Sequence, residues 1–282
     1  MPLQWHFATL IKIMALTTKI KTQKKYRYLL QSVLATLFLF LFSTGKLEIS
    51  FGFLALVVFS LALFGTILIH YPNVDLRNVF FVLLMPVSLM TGALLFINFF
   101  PNLGQIFKVT AILVFGLLYY VVSLVDNVFL VVEDREEVIP LYTVATAWSQ
   151  VVQVVVAIPL FSGIFKLNFN GVTQSGLVAI VAFLYVIYQI WSSRYDKDAK
   201  NTKVGESLLL SILGMFLVLA SSIAIIFIPS EAFLRALLIS AVLMFVLSYI
   251  ASYLRNDINR KMIVQFVIIF LVFLSLILIF TP

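Results

Sequence analysis

Residues 207–228 read SLLLSILGMFLVLASSIAIIFI, a run of 22 residues without a charged side chain. As an α-helix, such a run extends about 33 Å, which is enough to cross the roughly 30 Å hydrocarbon core of a bilayer. Within that core, only helices and closed barrels satisfy every backbone N–H and C=O group inside the protein. The stretch therefore predicts a membrane-spanning helix.

Similar apolar stretches recur along the whole chain. Hydrophobic residues make up 63% of the 282 residues, charged residues only 11%, and the mean hydropathy is +1.13. A soluble domain carries about a quarter charged residues. The sequence therefore predicts an all-α, polytopic integral membrane protein with about nine transmembrane helices. The other eight spans are expected at 29–43, 49–69, 78–100, 107–127, 141–163, 172–191, 234–254 and 263–280.

The distribution of basic residues predicts the orientation of these spans. Of the 19 Lys and Arg residues, 15 fall in segments on the side of the N-terminus and 4 on the other side. Because Lys and Arg accumulate in inner loops, we expect the N-terminus inside and the C-terminus outside. The net charge of +7 then suits loops facing anionic lipid and requires no nucleic acid. A bacterial plasma membrane is the expected location, with anionic membrane lipids and other membrane proteins as partners.

Two pairs of loops indicate an internal duplication. Residues 41–52, LFSTGKLEISFG, resemble 160–171, LFSGIFKLNFNG, and residues 99–108, FFPNLGQIFK, resemble 227–235, FIPSEAFLR. Four helices are an even number, so both halves would enter the membrane in the same orientation, as parallel repeats. Convergent composition is the alternative, because short apolar matches are common in Leu- and Phe-rich sequence.

The duplication divides the chain into four segments and pairs two charged residues. Asp126 and Arg255 become equivalent positions. The favoured interpretation is two separately solvated helix ends, because exposed ion pairs contribute only about 0–1 kcal/mol, and the alternative hypothesis is a pair at the inner membrane surface. The segments are 1–27, a basic cytoplasmic stretch that is either an interfacial helix or an unstructured extension; 28–132, the first four-helix repeat; 133–257, an acidic inner loop and the second repeat; and 258–282, the ninth helix.

An acidic cluster lies between the fourth and fifth spans, within 127–148, NVFLVVEDREEVIPLYTVATAW. Acidic residues before a helix start are favoured by the helix dipole, and Pro140 suits a first helical turn, so an inner loop explains the cluster. Carboxylates also bind hard cations, which makes a divalent metal a weak alternative. Its candidate ligands are Glu133, Asp134, Glu136 and Glu137.

Few polar groups are expected inside the spans. Asp126, at the inner end of the fourth span, is the only acidic residue there, which argues against a proton-driven carrier. The fifth span carries polar residues with the i, i+3, i+7, i+10 spacing of one helical face. We interpret this face as a helix–helix hydrogen-bonding surface, with substrate contact as the alternative. It consists of Thr143, Thr146, Gln150 and Gln153.

Aromatic and basic residues near the span ends predict contacts with the membrane surface. Trp148, Tyr188 and Trp191 are expected to anchor at the interface. The four outer cations occupy matched places in the two proposed repeats, and two of them stand near helix N-termini, where anions are favoured. The favoured interpretation is ordinary snorkelling toward bulk phospholipid, and the alternative hypothesis is a ring that holds anionic headgroups. These cations are Lys46, Lys108, Lys166 and Arg235.

No catalytic motif and no cofactor are predicted. The chain has no cysteine and only two histidines, and neither His6 nor His70 lies near a midplane. The leading interpretation is a lipid-interacting scaffold or assembly subunit, or a carrier of a lipophilic or lipid-linked anionic substrate. One alternative is a small-solute permease with a neutral polar site on the fifth helix. Another is a membrane-embedded, metal-dependent transferase that uses the acidic loop.

Overall fold

A computed structural model describes residues 24–44, 51–70, 78–100, 102, 104–135, 139–196 and 198–280. Residues 1–23 of the predicted N-terminal segment 1–27 lie outside the described residues. Lys46, Glu136 and Glu137, three of the candidate site residues, also lie outside them. Every structural statement below concerns the described residues.

This part of the chain is all-helical and contains nine helices. Eight of them are long and apolar enough to cross a membrane, and the other contains an apolar stretch at Leu56–His70. The predicted class, a polytopic membrane protein of about nine helices, is confirmed. The helices are α1 (Lys24–Ser43), α2 (Phe51–His70), α3 (Val79–Phe99), α4 (Gln105–Arg135), α5 (Pro140–Ile164), α6 (Gly171–Ser192), α7 (Val204–Ile226), α8 (Ala232–Leu254) and α9 (Arg260–Ile279).

Several helix ends are determined by local sequence. Pro140 occupies the first turn of α5, where its missing N–H group costs nothing. The side chain of Asn170 caps α6 by accepting a 2.8 Å hydrogen bond from the backbone N–H of Thr173. Asn259 caps α9 in the same way, accepting from the N–H of Lys261 at 3.0 Å. Proline and asparagine thus mark three of the helix starts.

The fourth helix is longer than predicted. It has 31 residues and ends at Arg135, whereas the predicted span ended at 127. The helix continues because Val128, Phe129 and Val132 are buried and extend its packed face. The prediction that the acidic loop starts at 133 is therefore wrong, since Glu133 and Asp134 lie in the last turn of α4. Asp126 accordingly lies about 13 Å inside the helix end.

The third and fifth helices pack closely at the centre of the bundle. A Cβ atom on Gly92 would lie 3.0 Å from the backbone N of Leu160, and one on Gly163 would overlap the side chain of Leu95. Membrane helices lack a hydrophobic driving force for association, so close packing at small residues holds them together. Gly92 and Gly163 therefore permit the α3–α5 contact, which joins the two groups of four helices.

The two groups, α1–α4 and α5–α8, share an order of packing. In each group, the first helix packs mainly against the fourth, the second against the third, and the third against the fourth. The ninth helix packs on α8 as α5 packs on α4, and only its Ile277 is buried. This order is what a duplication would produce, and the repeat itself stays a prediction.

Short connections make successive helices antiparallel, so the loops alternate between two ends of the bundle. We call the end that carries residues 193–203 the basic face, because this connection holds Arg194, Lys200 and Lys203. The end of α4, the start of α5 and the α8–α9 connection lie at the same end. The end of α3, the start of α4 and the connections at 165–170 and 227–231 lie at the opposite face.

Candidate functional site

Five polar side chains from three helices are buried together inside the bundle. We call them the polar network. None of them is more than 1% exposed. Buried polar groups in a membrane protein are costly and commonly mark functional sites. The network consists of Asp126 from α4, Ser149 and Gln153 from α5, and Tyr188 and Gln189 from α6.

A carboxyl–phenol pair forms one end of the network. The hydroxyl of Tyr188 donates a 2.6 Å hydrogen bond to Oδ1 of Asp126. The other oxygen, Oδ2, is buried without a hydrogen-bond partner among the described residues. Asp126 takes part in neither the Lys200–Glu206 nor the Arg255–Asp196 ion pair. The carboxyl group therefore has one neutral donor and one open acceptor position in an apolar interior.

A pair of glutamines forms the other end. Nε2 of Gln153 donates to Oε1 of Gln189 at 2.9 Å and to the hydroxyl of Ser149 at 3.2 Å. Oε1 of Gln153 has no hydrogen-bond partner in the described structure. The Ser149 side chain also interacts with the hydroxyl of Tyr188, which connects the two pairs. The network is thus a continuous polar contact between α4, α5 and α6.

Aromatic rings enclose the network towards the basic face. The ring of Phe129 meets those of Tyr142, Tyr188 and Trp191 edge-on, at centroid distances of 5.9, 6.4 and 5.7 Å. Trp191 stacks on Phe81 of α3 with the ring centroids 5.1 Å apart. The hydroxyl of Tyr142 donates to the backbone carbonyl of Ser192 at 2.6 Å, which fixes α5 against the end of α6. These rings separate the network from the basic face.

A groove of about 330 Å³ opens on the other side of Trp191, at the basic face. We call it the basic-face groove. Its walls are apolar on α3 and α6, and polar along the 193–203 connection. Arg194 and Lys200 supply two positive charges, and Asn201, Thr202 and Ser207 supply neutral polar groups. The apolar lining residues are Phe81, Ile187, Ile190, Trp191, Val204, Leu208 and Leu254.

Three contacts hold the polar wall of this groove in place. The guanidinium group of Arg255 binds Oδ2 of Asp196 through Nη2 at 2.7 Å and through Nε at 2.8 Å. The backbone N–H of Lys200 donates to the carbonyl of Leu254 at 2.7 Å. The ammonium group of Lys200 donates to Oε1 of Glu206 at 2.9 Å, and this hydrogen bond raises the pKa of Lys200. The 193–203 connection is therefore tied to the end of α8 and the start of α7.

The polar face predicted on α5 is buried only in part. Thr146 and Gln153 are buried, Gln150 is half-buried, and Thr143 is exposed. The buried polar positions also include Ser149, which the i, i+3, i+7, i+10 pattern omitted. Helix–helix hydrogen bonding, the favoured interpretation, applies to Gln153, which bonds to α6.

The hypothesis of a pair between Asp126 and Arg255 is wrong, and so is the interpretation of Asp126 as a solvated helix end, because its side chain is fully buried. Asp126 accepts a hydrogen bond from Tyr188, and Arg255 pairs with Asp196. The reason is that α4 extends well beyond Asp126, which encloses this side chain in the bundle and separates it from the solvated end of α8. The interfacial role predicted for Tyr188 and Trp191 is also wrong, because only 1% and 4% of these side chains are exposed.

The three described cations of the predicted outer ring, Lys108, Lys166 and Arg235, lie at the opposite face. Nε of Arg235 donates to the hydroxyl of Ser230 at 3.2 Å, so this guanidinium group folds onto its own loop. The ammonium group of Lys166 lies 5.6 Å from the ring centroid of Phe100. Lys108 is half-buried in the first turn of α4. A headgroup-binding ring that includes them stays a prediction.

Among the described residues, no group of three His, Cys, Asp or Glu side chains could hold a metal ion. Of the four weak candidates, only Glu133 and Asp134 are described. Fold and site together define a multi-pass membrane protein with a buried polar network and a charged groove beside it. Comparison with known proteins found no matching family model, no matching curated protein and no matching solved structure.

Proposed function

We propose that the chain is a carrier of a lipophilic or lipid-linked substrate. The observation that supports this function over a scaffold is the buried Asp126 carboxyl group. An unpaired polar group costs several kcal/mol in an apolar environment, and a scaffold that only packs against other helices gains nothing from one. A carrier does need such a group, because its substrate must find polar contacts while it crosses the bilayer.

The position of the network supports the same function. Asp126 belongs to α4, in the first group of four helices, whereas Gln153 and Gln189 belong to the second group. Transporters built from repeats commonly place their sites where the repeats meet, since a movement of one group against the other then changes access. In this chain, any such movement would alter the contacts of Tyr188 with Asp126.

The carrier function is tested with the purified full chain in liposomes that contain a fluorescent phospholipid. We expect exchange of this lipid between leaflets to be faster than in protein-free liposomes. Asp126→Asn should slow the exchange about ten-fold, which corresponds to about 1.4 kcal/mol at the limiting step. Thr143→Val, at an exposed position on α5, is the matched control and should exchange lipid at the native rate. Native rates in both variants would contradict the proposal.

A small-solute permease is the second candidate. It is favoured by Oε1 of Gln153, a buried acceptor without a hydrogen-bond partner in the described structure. Uptake of radiolabelled sugars and amino acids into the same liposomes distinguishes the two functions. Uptake that Gln153→Leu abolishes, without any lipid exchange, would favour the permease.

The location and the partners are part of the proposal. The 15-to-4 distribution of Lys and Arg supports a cytoplasmic basic face in a bacterial plasma membrane. Anionic lipids are the partners that suit this face, because their headgroups attract polybasic segments. Fractionation of the producing cells into plasma membrane and other membranes tests the location.

A further inference from the structure

The basic-face groove has one charged wall and one apolar wall, as a site for an amphiphilic anion would. Its polar wall consists of Arg194, Lys200, Asn201 and Thr202, and its apolar wall includes Ile190, Trp191 and Leu208. The volume of about 330 Å³ falls at the lower end of the range for small-molecule sites. A headgroup therefore fits with only the first part of an apolar chain.

Arg194 is the cation in this groove that is available to a ligand. Lys200 is engaged by Glu206, and Arg255, outside the groove, is engaged by Asp196. Neither of these two ion pairs includes Arg194, whose side chain is exposed. A guanidinium group presents paired N–H donors that match two oxygens of a phosphate. The groove thus offers a free phosphate-binding side chain.

The start of α7 adds a second feature that favours an anion. Lys203 is the N-cap residue, and it makes no side-chain cap hydrogen bond, so the first backbone N–H groups of the helix lack a capping acceptor. Val204, the first residue of α7, lines the groove. The carboxylate of Glu206 lies in the same first turn, where Lys200 and the hydroxyl of Tyr253 bind it. The helix terminus and Arg194 therefore act on the same side of the groove.

We propose that this groove binds the phosphate group of a membrane lipid or lipid-linked substrate from the adjacent leaflet. Arg194 holds the phosphate, and the first part of the apolar chain lies along Trp191 and Leu208. Because Trp191 also packs against Tyr188, the bound substrate lies one ring away from the polar network. This inference rests on the proposed carrier function and assigns the groove as its loading site.

The binding test uses the purified full chain in micelles with equal amounts of phosphatidylglycerol and diacylglycerol, analysed by native mass spectrometry. The native protein should retain phosphatidylglycerol, and Arg194→Gln should retain about ten-fold less, because a charge-assisted contact is lost. Asn201→Asp, which places a negative charge in the groove, should have the same effect. Arg260→Gln removes a charge from the same face outside the groove, at the exposed start of α9, and should retain the native amount.

Equal losses in Arg194→Gln and Arg260→Gln would show general attraction to a basic surface and would overturn the site. Competition with glycerol phosphate tests whether the groove recognises a lipid or only a free phosphate group. If it displaces the lipid at equal concentration, the apolar wall contributes nothing and the lipid assignment is wrong; persistence of the bound lipid supports it.

The binding site in the groove and the carrier function are tested by different experiments, so one proposal can be overturned while the other stands. Binding in micelles requires no transport, whereas lipid exchange in liposomes does. Exchange by the native protein, together with unchanged phosphatidylglycerol binding by Arg194→Gln, would overturn the groove and leave the carrier. Binding that Arg194→Gln abolishes, without exchange by the native protein, would support the groove and overturn the carrier.

Discussion

The hydroxyl of Tyr188 donates a 2.6 Å hydrogen bond to a carboxyl oxygen of Asp126, and both side chains are fully enclosed by apolar helices. The two residues are 62 positions apart and belong to different groups of four helices. A hydrogen bond to a charged or strongly polar buried group contributes more than an exposed one, since its loss leaves the partner unsatisfied. This contact therefore couples the two groups.

Tyr188→Phe should destabilise the protein by about 1–3 kcal/mol, because Asp126 loses its hydrogen-bond donor while it stays buried. The double variant Tyr188→Phe, Asp126→Leu should be more stable than Tyr188→Phe alone, since both polar partners are then removed. Thermal unfolding in detergent measures both effects. Tyr120→Phe, on a half-buried tyrosine of α4, is the control and should unfold at the native temperature. Additive effects in the double variant would contradict the coupling.

The glutamine pair should make a smaller contribution. Gln153→Leu leaves Oε1 of Gln189 without its donor and should cost about 1 kcal/mol, typical of hydrogen bonds between membrane helices. Gln150→Leu lies on the same helix at a half-buried position and should cost less. A double-mutant cycle with Gln189→Leu gives the interaction energy. Zero coupling in this cycle would argue against a hydrogen bond between α5 and α6.

The Asp196–Arg255 pair should order the 193–203 connection more than it stabilises the fold. Exposed ion pairs contribute about 0–1 kcal/mol, so Asp196→Asn should leave the unfolding temperature nearly unchanged. Limited trypsin digestion within the connection, however, should become faster because its tie to α8 is lost. Asp198→Asn, at an exposed neighbour, should be digested at the native rate. Equal digestion of both variants would contradict this role.

Side-chain volume at Gly92 should be tightly restricted. A Cβ atom there would lie 3.0 Å from backbone N of Leu160, so Gly92→Val forces α3 and α5 apart. Overpacking of this kind costs about 1–3 kcal/mol, which unfolding in detergent measures. Gly176→Ala is the control, since a Cβ atom at Gly176 meets nothing within 4 Å. An equal effect of the two substitutions would mean that the close approach is unimportant.

The orientation can be tested directly, because the native chain has no cysteine. Single cysteines at Asp198 and Asn168 fall in exposed connections at the two ends of the bundle. An impermeant thiol reagent added to intact cells should label Asn168→Cys and not Asp198→Cys, as the distribution of basic residues predicts. Labelling of position 198 alone would reverse the predicted orientation.

Helix positions were predictable from sequence because a membrane imposes their length and excludes charge. The end of α4 was not, since Glu133 and Asp134 look like loop residues until the packing of Val128, Phe129 and Val132 is known.

The polar network was harder to predict than the helices. Trp148 and Trp191 have similar sequence contexts near span ends, yet 54% of Trp148 is exposed and only 4% of Trp191. Which of two such residues is buried depends on which helices are neighbours, and that is set by contacts across the two groups. The hydrogen-bond partners of Asp126 and Gln153 depend on the same arrangement of helices. Residue spacing along α5 therefore identified Gln153 as a polar position, but it could not identify its partner Gln189, or Tyr188 as the partner of Asp126, because both lie on α6.

The ninth helix rests on α8 and has only Ile277 buried, while the polar network lies among α4, α5 and α6. None of the hydrogen bonds of the network involves α9. This helix is therefore peripheral to an eight-helix body and could be replaced by another apolar span without exposing Asp126 to lipid. Apolar substitutions in α9 should therefore leave the polar network unchanged, whereas substitutions at its contacts in α4, α5 or α6 change it directly.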